Sequence, residues 1–574
     1  MTEIPLEQAV ATPYRPPAGT QSTGATGGRI TATGVSQHAG GRQVLHDVSF
    51  SLEPGELVAL VGGSGAGKTT LLEILAGLRA PSAGQITHDG LAVDTGAASS
   101  SGVGYVPQDD IIHLEMPLRR TLQYAARLRL PAGTSSTQAD RAVDETLRNL
   151  DLADRGDVPV RMLSGGQRKR ASIAVELLAR PRTFFLDEPT SGLDPSTSAE
   201  VLRVLRRLTR RGVTVVLTTH EPATIDRSDR VVFLARNGHL AFAGTPSEAR
   251  HYFGVDDLTD VYDRLAAEDT PHAWAERFAA WRAPAPTQVP TAVSSGDRRV
   301  PSSLRQWWLL TRRNADVLVR NRLTLAVLLG SPVLVTAMMA MLFQPDAFEP
   351  RSEADVGPAQ IVFWIAFAGF FFGLTYGLLQ IVGEMAVLRR ERRAGLSLGA
   401  YVASKIGVLM PVLTAVTVVL LVVLRALDRL PAVGWDVYAS LLATLLIEAL
   451  SALALVLLAS AAVSNASQAA LALPMLCFPQ VLFAGAVVPT EEMATPGRLL
   501  SVGLANRYSF EALGRALHLG QFTGALPSMR AYGDTFSGAV VPSWLALVGL
   551  AAICTLATIW VLHRRCLPGA RGRR

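Results

Sequence analysis

Lys68, Thr69, Asp187, Glu188 and His220 are side chains whose types and spacing point to chemistry on a phosphate group. The run Gly62-Gly63-Ser64-Gly65-Ala66-Gly67-Lys68-Thr69 follows the apolar stretch Leu57–Val61 and precedes Thr70-Leu71-Leu72-Glu73-Ile74-Leu75. It is GxxxxGK[ST] between a strand and a helix. Its glycines let backbone N–H groups wrap phosphates, Lys68 reaches the β and γ phosphates, and the Thr69 hydroxyl meets Mg2+. Farther along, the apolar stretch Thr183–Leu186 delivers Asp187 and Glu188 in succession. A buried parallel strand does this when it presents acids at its C-terminal edge, where open α/β sheets bind ligands. Phosphoryl transfer asks little covalent chemistry of a protein. A lysine, a metal, a water-positioning carboxylate and a donor near the γ-phosphate are sufficient parts.

The elements that must hold these groups can be read from the same sequence. The β-branched stretch Val213–Thr219 ends at His220, which predicts that His220 stands beside Asp187 and Glu188 at one sheet edge. Arg29–Leu52 alternates like an antiparallel strand pair turning at Gly40-Gly41, and residues 230–244 read as a terminal hairpin turning at Asn237-Gly238. Residues 254–281 read as a helical end to this α/β domain.

Leu163-Ser164-Gly165-Gly166-Gln167, followed by Asp187-Glu188-Pro189-Thr190-Ser191-Gly192-Leu193-Asp194, narrows the field further. With the glycine-rich loop, the set resembles the ATP-binding cassette family. The resemblance implies ATP bound by Gly62, Gly63, Ser64, Gly65, Ala66, Gly67, Lys68, Thr69 and Thr70. It implies Mg2+ held by Thr69, Gln108 and Asp187, with Glu188 as general base, Gln108 as the Q-loop residue and His220 as the switch histidine. Ser164, Gly165, Gly166, Gln167 and the D-loop Asp194 then cap the nucleotide of an opposing cassette. One cassette per chain therefore implies a dimer, either with a second copy or with a related half-transporter. Where many members stack an aromatic on adenine, this chain has His38. Residues 110–130 and the basic ending Arg168-Lys169-Arg170 are similar to the G subfamily, a resemblance that covers about residues 29–565.

The 574 residues are 49% hydrophobic with a net charge of +6, too long for one domain and too apolar for an ordinary soluble protein. Almost all the basic charge is arginine flanking apolar segments, which reads as membrane topology rather than nucleic-acid binding. Cys477, Cys554 and Cys566 show no metal or CxxC spacing. Residues 1–28 lack the apolar region of a signal peptide and read as a disordered cytoplasmic tail. Residues 29–281 form the cassette, and 282–303, dense in Pro, Ala, Ser and Thr, the linker. Residues 304–322 form an interfacial connecting helix with a Trp pair among arginines, 323–565 the membrane domain and 566–574 a basic tail. The expected fold is thus an α/β P-loop cassette followed by an all-α domain of six spans: 323–343, 359–382, 402–424, 438–463, 469–488 and 544–563.

Arg389, Arg390, Arg392 and Arg393 lie between the second and third spans, and Arg564, Arg565, Arg571, Arg573 and Arg574 follow the sixth. The first loop holds Asp346, Glu349, Glu353 and Asp355. The positive-inside rule then puts both termini in the cytoplasm, in a plasma membrane. By resemblance, Glu391 belongs to a coupling segment in a salt-bridge network against the cassette; its other reading is a solvated charge run that only sets topology. Phe372 falls near the subfamily's substrate-clamping phenylalanine, in a span whose aromatics also suit packing. Ala486 and Val487 align with a leucine plug but are smaller. Glu448, inside the fourth span, reads equally as a functional ionisable group or as a hydrogen-bonded packing group. Residues 490–541 read as a long outside loop without cysteine, and the arginine-rich usage as actinobacterial in type. Together these imply ATP-driven export of a lipid-like or amphipathic hydrophobic substrate. The alternative is a non-transporting membrane ATPase that signals to or remodels the envelope; six spans and a modest outside loop favour export.

Overall fold

In the computed structural model, which describes residues 27–93, 102–267, 271–281, 301–345, 348, 357–521 and 527–566, the apolar runs of the N-terminal third become strands. The chain forms two compact units, one mainly from residues up to 300 and one from 301–392 with 396–566.

In the first unit, β1 (Ile30–Ala39), β2 (Arg42–Leu52), β3 (Leu57–Gly62), α1 (Lys68–Leu75), β4 (Ala83–His88), β5 (Leu91–Ala92) and β6 (Val103–Val106) come first. Next come α2 (Leu118–Arg129), α3 (Ser136–Asn149), α4 (Gly165–Leu177), β7 (Thr183–Leu186), α5 (Pro195–Arg210), β8 (Thr214–Thr218) and α6 (Pro222–Asp226). β9 (Arg230–Leu234), β10 (Leu240–Gly244), α7 (Pro246–Phe253), α8 (Asp260–Ala267) and α9 (Pro271–Trp281) complete it. The main sheet has the order β10-β9-β3-β8-β7-β6, parallel except for β10 at one edge, and a second sheet has the order β2-β1-β4-β5.

β3, β7 and β8 are buried throughout, as strands covered on both faces must be. Their side chains alternate between two cores. Phe185 and Val216 join the core against β1, β2 and α1, while Phe184, Leu186, Val215 and Leu217 join the core of α2 to α5. The β1–β2 turn at Gly40-Gly41 and the β9–β10 turn at Asn237-Gly238 have positive φ at both turn residues, as the dipeptides predict.

The second unit is helical: α10 (Ser303–Arg320), α11 (Arg322–Leu342), α12 (Gly357–Gly377), α13 (Met385–Arg393), α14 (Leu398–Ala426), α15 (Trp435–Ala462), α16 (Ala466–Leu482), α17 (Thr495–Ser501), α18 (Ala505–Ala516) and α19 (Val541–Cys566). Among the described residues five helices are long and apolar enough to cross a membrane, and α16 is a shorter apolar helix. α12 and α15 meet along a seam of small residues. A Cβ on Gly373 would lie 2.6 Å from the Ala449 carbonyl oxygen, and one on Gly377 2.2 Å from a Val456 methyl, so only glycine allows this approach.

The structure differs from three sequence expectations here. The second span is expected to reach Val382; the regular helix α12 stops at Gly377, inside a candidate span that continues to Arg393. The N–H groups of Ile381 and Val382 donate instead to Ser460 Oγ of α15, at 3.2 and 3.1 Å. The fifth span was to run 469–488, but α16 ends at Leu482, followed by Gly485 at φ 92° and by an Ala486 carbonyl that accepts from the Tyr532 hydroxyl at 2.9 Å. Residues 490–541, expected as loop, contain α17 and α18. α18 buries Asn506, Ser509, Phe510 and Leu513, and its first polar groups bond inside the unit: Asn506 N donates to Gln480 Oε1 and Asn506 Nδ2 to the Gln480 carbonyl, both at 2.9 Å, while Asn506 Oδ1 is buried with no partner among the described residues. Residues 1–26, linker residues 282–300, Asp346, Glu349, Glu353, Asp355 and the tail with Arg571, Arg573 and Arg574 lie outside the described residues.

In the first unit, α2 is tied to α4 by a two-pronged ion pair, Arg129 to Glu176 at 2.8 and 2.7 Å, with both side chains 8% exposed. Arg129→Met breaks this buried ion pair, at a cost of about 3–5 kcal/mol. Hydrogen-exchange protection of α2 and α4 amides in the full chain should fall accordingly. Adding Glu176→Met should restore most of it, and an unchanged single variant would refute the assignment.

Candidate nucleotide site

Gly67 opens α1 at φ 86°, and a Cβ there would sit 2.8 Å from the Val44 carbonyl oxygen, so the loop closes against β2 only with glycine. The cleft that results, about 580 Å3, is lined by Val44, Gly62, Gly63, Ser64, Gly65, Ala66, Gly67, Lys68, Thr69, Thr70, Glu188, His220 and Tyr262. Lys68 Nζ donates to the carbonyls of Gly62 at 2.9 Å and Gly63 at 3.1 Å. Burial pushes its pKa down, while Glu188 and Asp187 draw it up.

The parallel register pairs Leu186 of β7 with Leu217 of β8, which places Asp187 and Glu188 level with Thr218. Thr218 Oγ1 donates to Asp187 Oδ1 at 2.7 Å and accepts from the Glu188 N–H at 2.8 Å. One buried hydroxyl therefore fixes both acids. Glu188 sits at φ 44°, a left-handed conformation that costs a non-glycine residue about 1–2 kcal/mol. Its carboxylate reaches Gln108 Nε2 at 3.4 Å and lies 4.0 Å from His220 Nδ1, whose side chain is 65% exposed. Sheet order puts His220 beside the acidic pair, as the sequence predicts.

Thr69 Oγ1 and Asp187 Oδ1 are 3.2 Å apart. A hydroxyl and a carboxylate are hard oxygen donors that suit Mg2+, which keeps several waters and takes phosphate oxygens for the rest. Among the described residues no group of three or more His, Cys, Asp or Glu side chains could hold a metal. A phosphate-bound Mg2+ does not require one.

Ser164 caps α4 in a capping box, accepting from Gln167 N at 3.3 Å while Gln167 Oε1 accepts from Ser164 N at 3.1 Å. Gly166, the second residue of that helix, packs against α5, where a Cβ would meet a Thr197 methyl at 2.0 Å. Asp194 caps α5, accepting from Thr197 N at 3.0 Å and from the Ser196 hydroxyl at 2.6 Å, which hold its pKa well below the usual carboxylate range. Ser164, Gly165, Gly166, Gln167 and Asp194 do not line this chain's own cleft among the described residues. Nor does His38, which pairs with Gln43 across the β1–β2 turn.

Two participants escaped the sequence reading. Thr218 was hidden as one more β-branched strand residue; the available signal was a hydroxyl at the C-terminal end of the strand Thr214–Thr218, level with the two acids. Lys169 donates to the carbonyls of Gln108 at 2.7 Å and Pro107 at 3.3 Å, so α4 holds the segment carrying Gln108. Burial lowers its pKa and raises that of Asp110, 4.0 Å away.

In the helical unit Glu391 is buried and ion-paired with Arg313 of α10, and nearby Lys405 Nζ donates to Glu384 Oε2 at 2.7 Å. Phe372 is buried and stacks on Tyr376 at 6.4 Å between centroids, whereas Val487 is exposed. Glu448 is fully buried and accepts from the Ser509 hydroxyl at 2.6 Å.

Thr218→Val removes both hydrogen bonds and leaves the Glu188 N–H without its acceptor. ATP turnover is expected to fall at least tenfold with nucleotide affinity changed less than threefold, as about 1–3 kcal/mol of positioning is lost. Turnover at the unmutated rate would show that Thr218 does not position the acids.

The family profile described as ABC transporter matches residues 45–191, and the one described as ABC-2 type transporter matches residues 305–513. The "ABC transporter ATP-binding/permease protein Rv1747" of Mycobacterium tuberculosis is 33% identical over 477 residues, 80% of this chain and 54% of that protein. The "Broad substrate specificity ATP-binding cassette transporter ABCG2" of Bos taurus is 36% identical over 223 residues, 37% of this chain and 33% of that protein. "Protein white" of Drosophila melanogaster is 38% identical over 225 residues, 37% of this chain and 32% of that protein. The chain thus spans about half the length of the mycobacterial relative and about a third of the other two. An ATP-binding cassette followed by a helical ABC-2 domain with membrane-crossing helices places the chain among the ATP-binding-cassette transporters of this domain order.

Proposed function

We propose that the chain is an ATP-driven half-transporter of the plasma membrane, acting as a dimer and exporting a lipid-like or amphipathic hydrophobic substrate. The observation that carries the reading is Glu188, held by Thr218 in a strained conformation on the wall of the same cleft as Lys68. Backbone N–H groups of residues 63–69 bind the phosphate tail, and Lys68 turns from its carbonyl partners to the phosphates. Glu188 takes a proton from the attacking water as the water oxygen bonds to the γ-phosphorus and the bond from that phosphorus to the bridging oxygen breaks. ADP and phosphate result. His220 donates to a γ-phosphate oxygen. Thr69, Asp187 and Gln108 would hold Mg2+, which neutralises phosphate charge when bound.

Dimerisation is supported by exposed Ser164, Gly165 and Asp194, each outside its own chain's cleft. A second copy or a related half-transporter would present its cleft to them. Coupling is assigned to Glu391, whose buried pair with Arg313 links α13 to α10, the helix that follows the linker. Arg389, Arg390 and Arg392 beside Glu391, and Arg564 and Arg565 after the last span, support cytoplasmic termini. The apolar, aromatic α12 supports a hydrophobic cargo. Phe372, Ala486, Val487 and Glu448 remain candidates for its path.

The test is ATP turnover by the full chain in lipid nanodiscs, with and without a panel of lipids and amphipathic compounds. Stimulation by one chemical class is expected. Glu188→Gln should keep ATP binding and lower turnover by about 10^2-fold or more. Retained turnover would remove the general-base assignment, and a silent chain that binds ATP would overturn the homodimer in favour of a heteromeric partner.

A further inference from the structure

Tyr262 belongs to none of the motifs above, yet it lines the cleft together with the glycine-rich loop, Glu188 and His220. Its placement follows from α8. Val261 and Leu265, four residues apart on one face, sink into the core that also holds Phe253, Trp274 and Phe278. The next residue along the helix is turned by about 100° from Val261, and that residue is Tyr262. Tyr262 and His220 are the aromatic rings of the cleft lining. Its hydroxyl is shielded from water and makes no hydrogen bond within the described chain. A phenol buried without an acceptor costs about 1–3 kcal/mol, and such a group in a native fold calls for an explanation. Burial, reinforced by the negative charge of Glu188, pushes its pKa up to about 12, so it stays protonated and can only profit from an acceptor.

We infer that the Tyr262 hydroxyl is completed by the nucleotide, donating a hydrogen bond to an oxygen of the bound phosphate tail. α8 then becomes part of the binding site and a specificity element outside the cassette motifs. The inference rests on the ATP reading of the cleft. The phosphate tail is favoured over the base because the other lining residues are those of the phosphate loop and the γ-phosphate end, with Val44 alone from β2. Phosphate oxygens are anionic acceptors, which strengthen a phenol's bond relative to a neutral one.

The test uses the full chain in nanodiscs carrying Glu188→Gln, so that ATP is bound and not consumed. Adding Tyr262→Phe is expected to raise the Kd for ATP about five- to tenfold, and for 2′-deoxyATP by the same factor. Without nucleotide the thermal midpoint should hold or rise, since an unpaired hydroxyl has been removed, while the ATP-induced shift shrinks. Unchanged affinity in Tyr262→Phe with loss in Tyr262→Ala would overturn the hydrogen bond in favour of ring packing. A loss seen with ATP and absent with 2′-deoxyATP would overturn the phosphate assignment in favour of the ribose. Failure of the Glu188→Gln parent itself to bind ATP would instead remove the nucleotide reading, a distinguishable result.

Discussion

Two adjacent carboxylates at the end of a buried strand are the constraint on which the cassette depends. Asp187 and Glu188 bring negative charge to a sheet edge where the phosphates of a nucleotide, also negative, must bind. The fold answers with donors. Thr218 fixes Asp187 and the Glu188 backbone, Lys68 stands across the cleft, and Gln108 approaches the Glu188 carboxylate. Each donor comes from a different strand end or loop, which is why the strand order β3-β8-β7-β6 matters. The ends of β3, β8, β7 and β6 carry, in turn, the glycine-rich loop, Thr218 with His220, the two acids and Gln108. Exchanging any two neighbours would separate groups that must act within a few ångströms.

The helical unit solves a different electrostatic problem. Arg313, Glu391, Lys405 and Glu384 are charges taken out of water, where an isolated charge is costly and a paired one is tolerated only with good geometry. Asn314 adds amide bonds to Ser404 and Lys405 at 3.0 and 3.3 Å, and Gln306 Oε1 accepts from Ser397 N at 2.7 Å. α10 is thereby tied to α14 through polar groups rather than by shape alone. Such a junction has a defined register, because sliding by one turn would leave several buried donors and acceptors unpaired.

The sequence made the cassette legible because its chemistry is local. GxxxxGK[ST], the strand that ends in Asp187 and Glu188, and the strand before His220 each carry their own flanking pattern, and the observed strands differ from the expected ones by a residue or so. What was illegible depends on partners distant in sequence. Thr218 matters only because β8 runs parallel to β7, and Tyr262 only because α8 packs its neighbours into a core. In the helical unit, hydropathy located the apolar segments but misjudged their ends. Ser460, Tyr532, Gln480 and Asn506 supply side-chain hydrogen bonds that replace backbone ones, and polarity along the chain cannot distinguish a buried, bonded group from a solvated one.

Glu448 shows how these constraints combine. The aromatics of α12 dominate its composition, but the face toward α15 is set by Gly369, Gly373 and Gly377 at four-residue spacing. Small residues let the helices approach closely enough that Gly369 lies against the Glu448 carboxylate, where a Cβ would come within 3.0 Å of Oε2. Ser509 of α18 supplies the one donor to that oxygen among the described residues. The segment that looked like an outside loop is therefore needed to make the fourth span tolerable, and a larger residue at 369 would displace the carboxylate from its partner. Here packing volume and polar satisfaction are one constraint, shared by α12, α15 and α18.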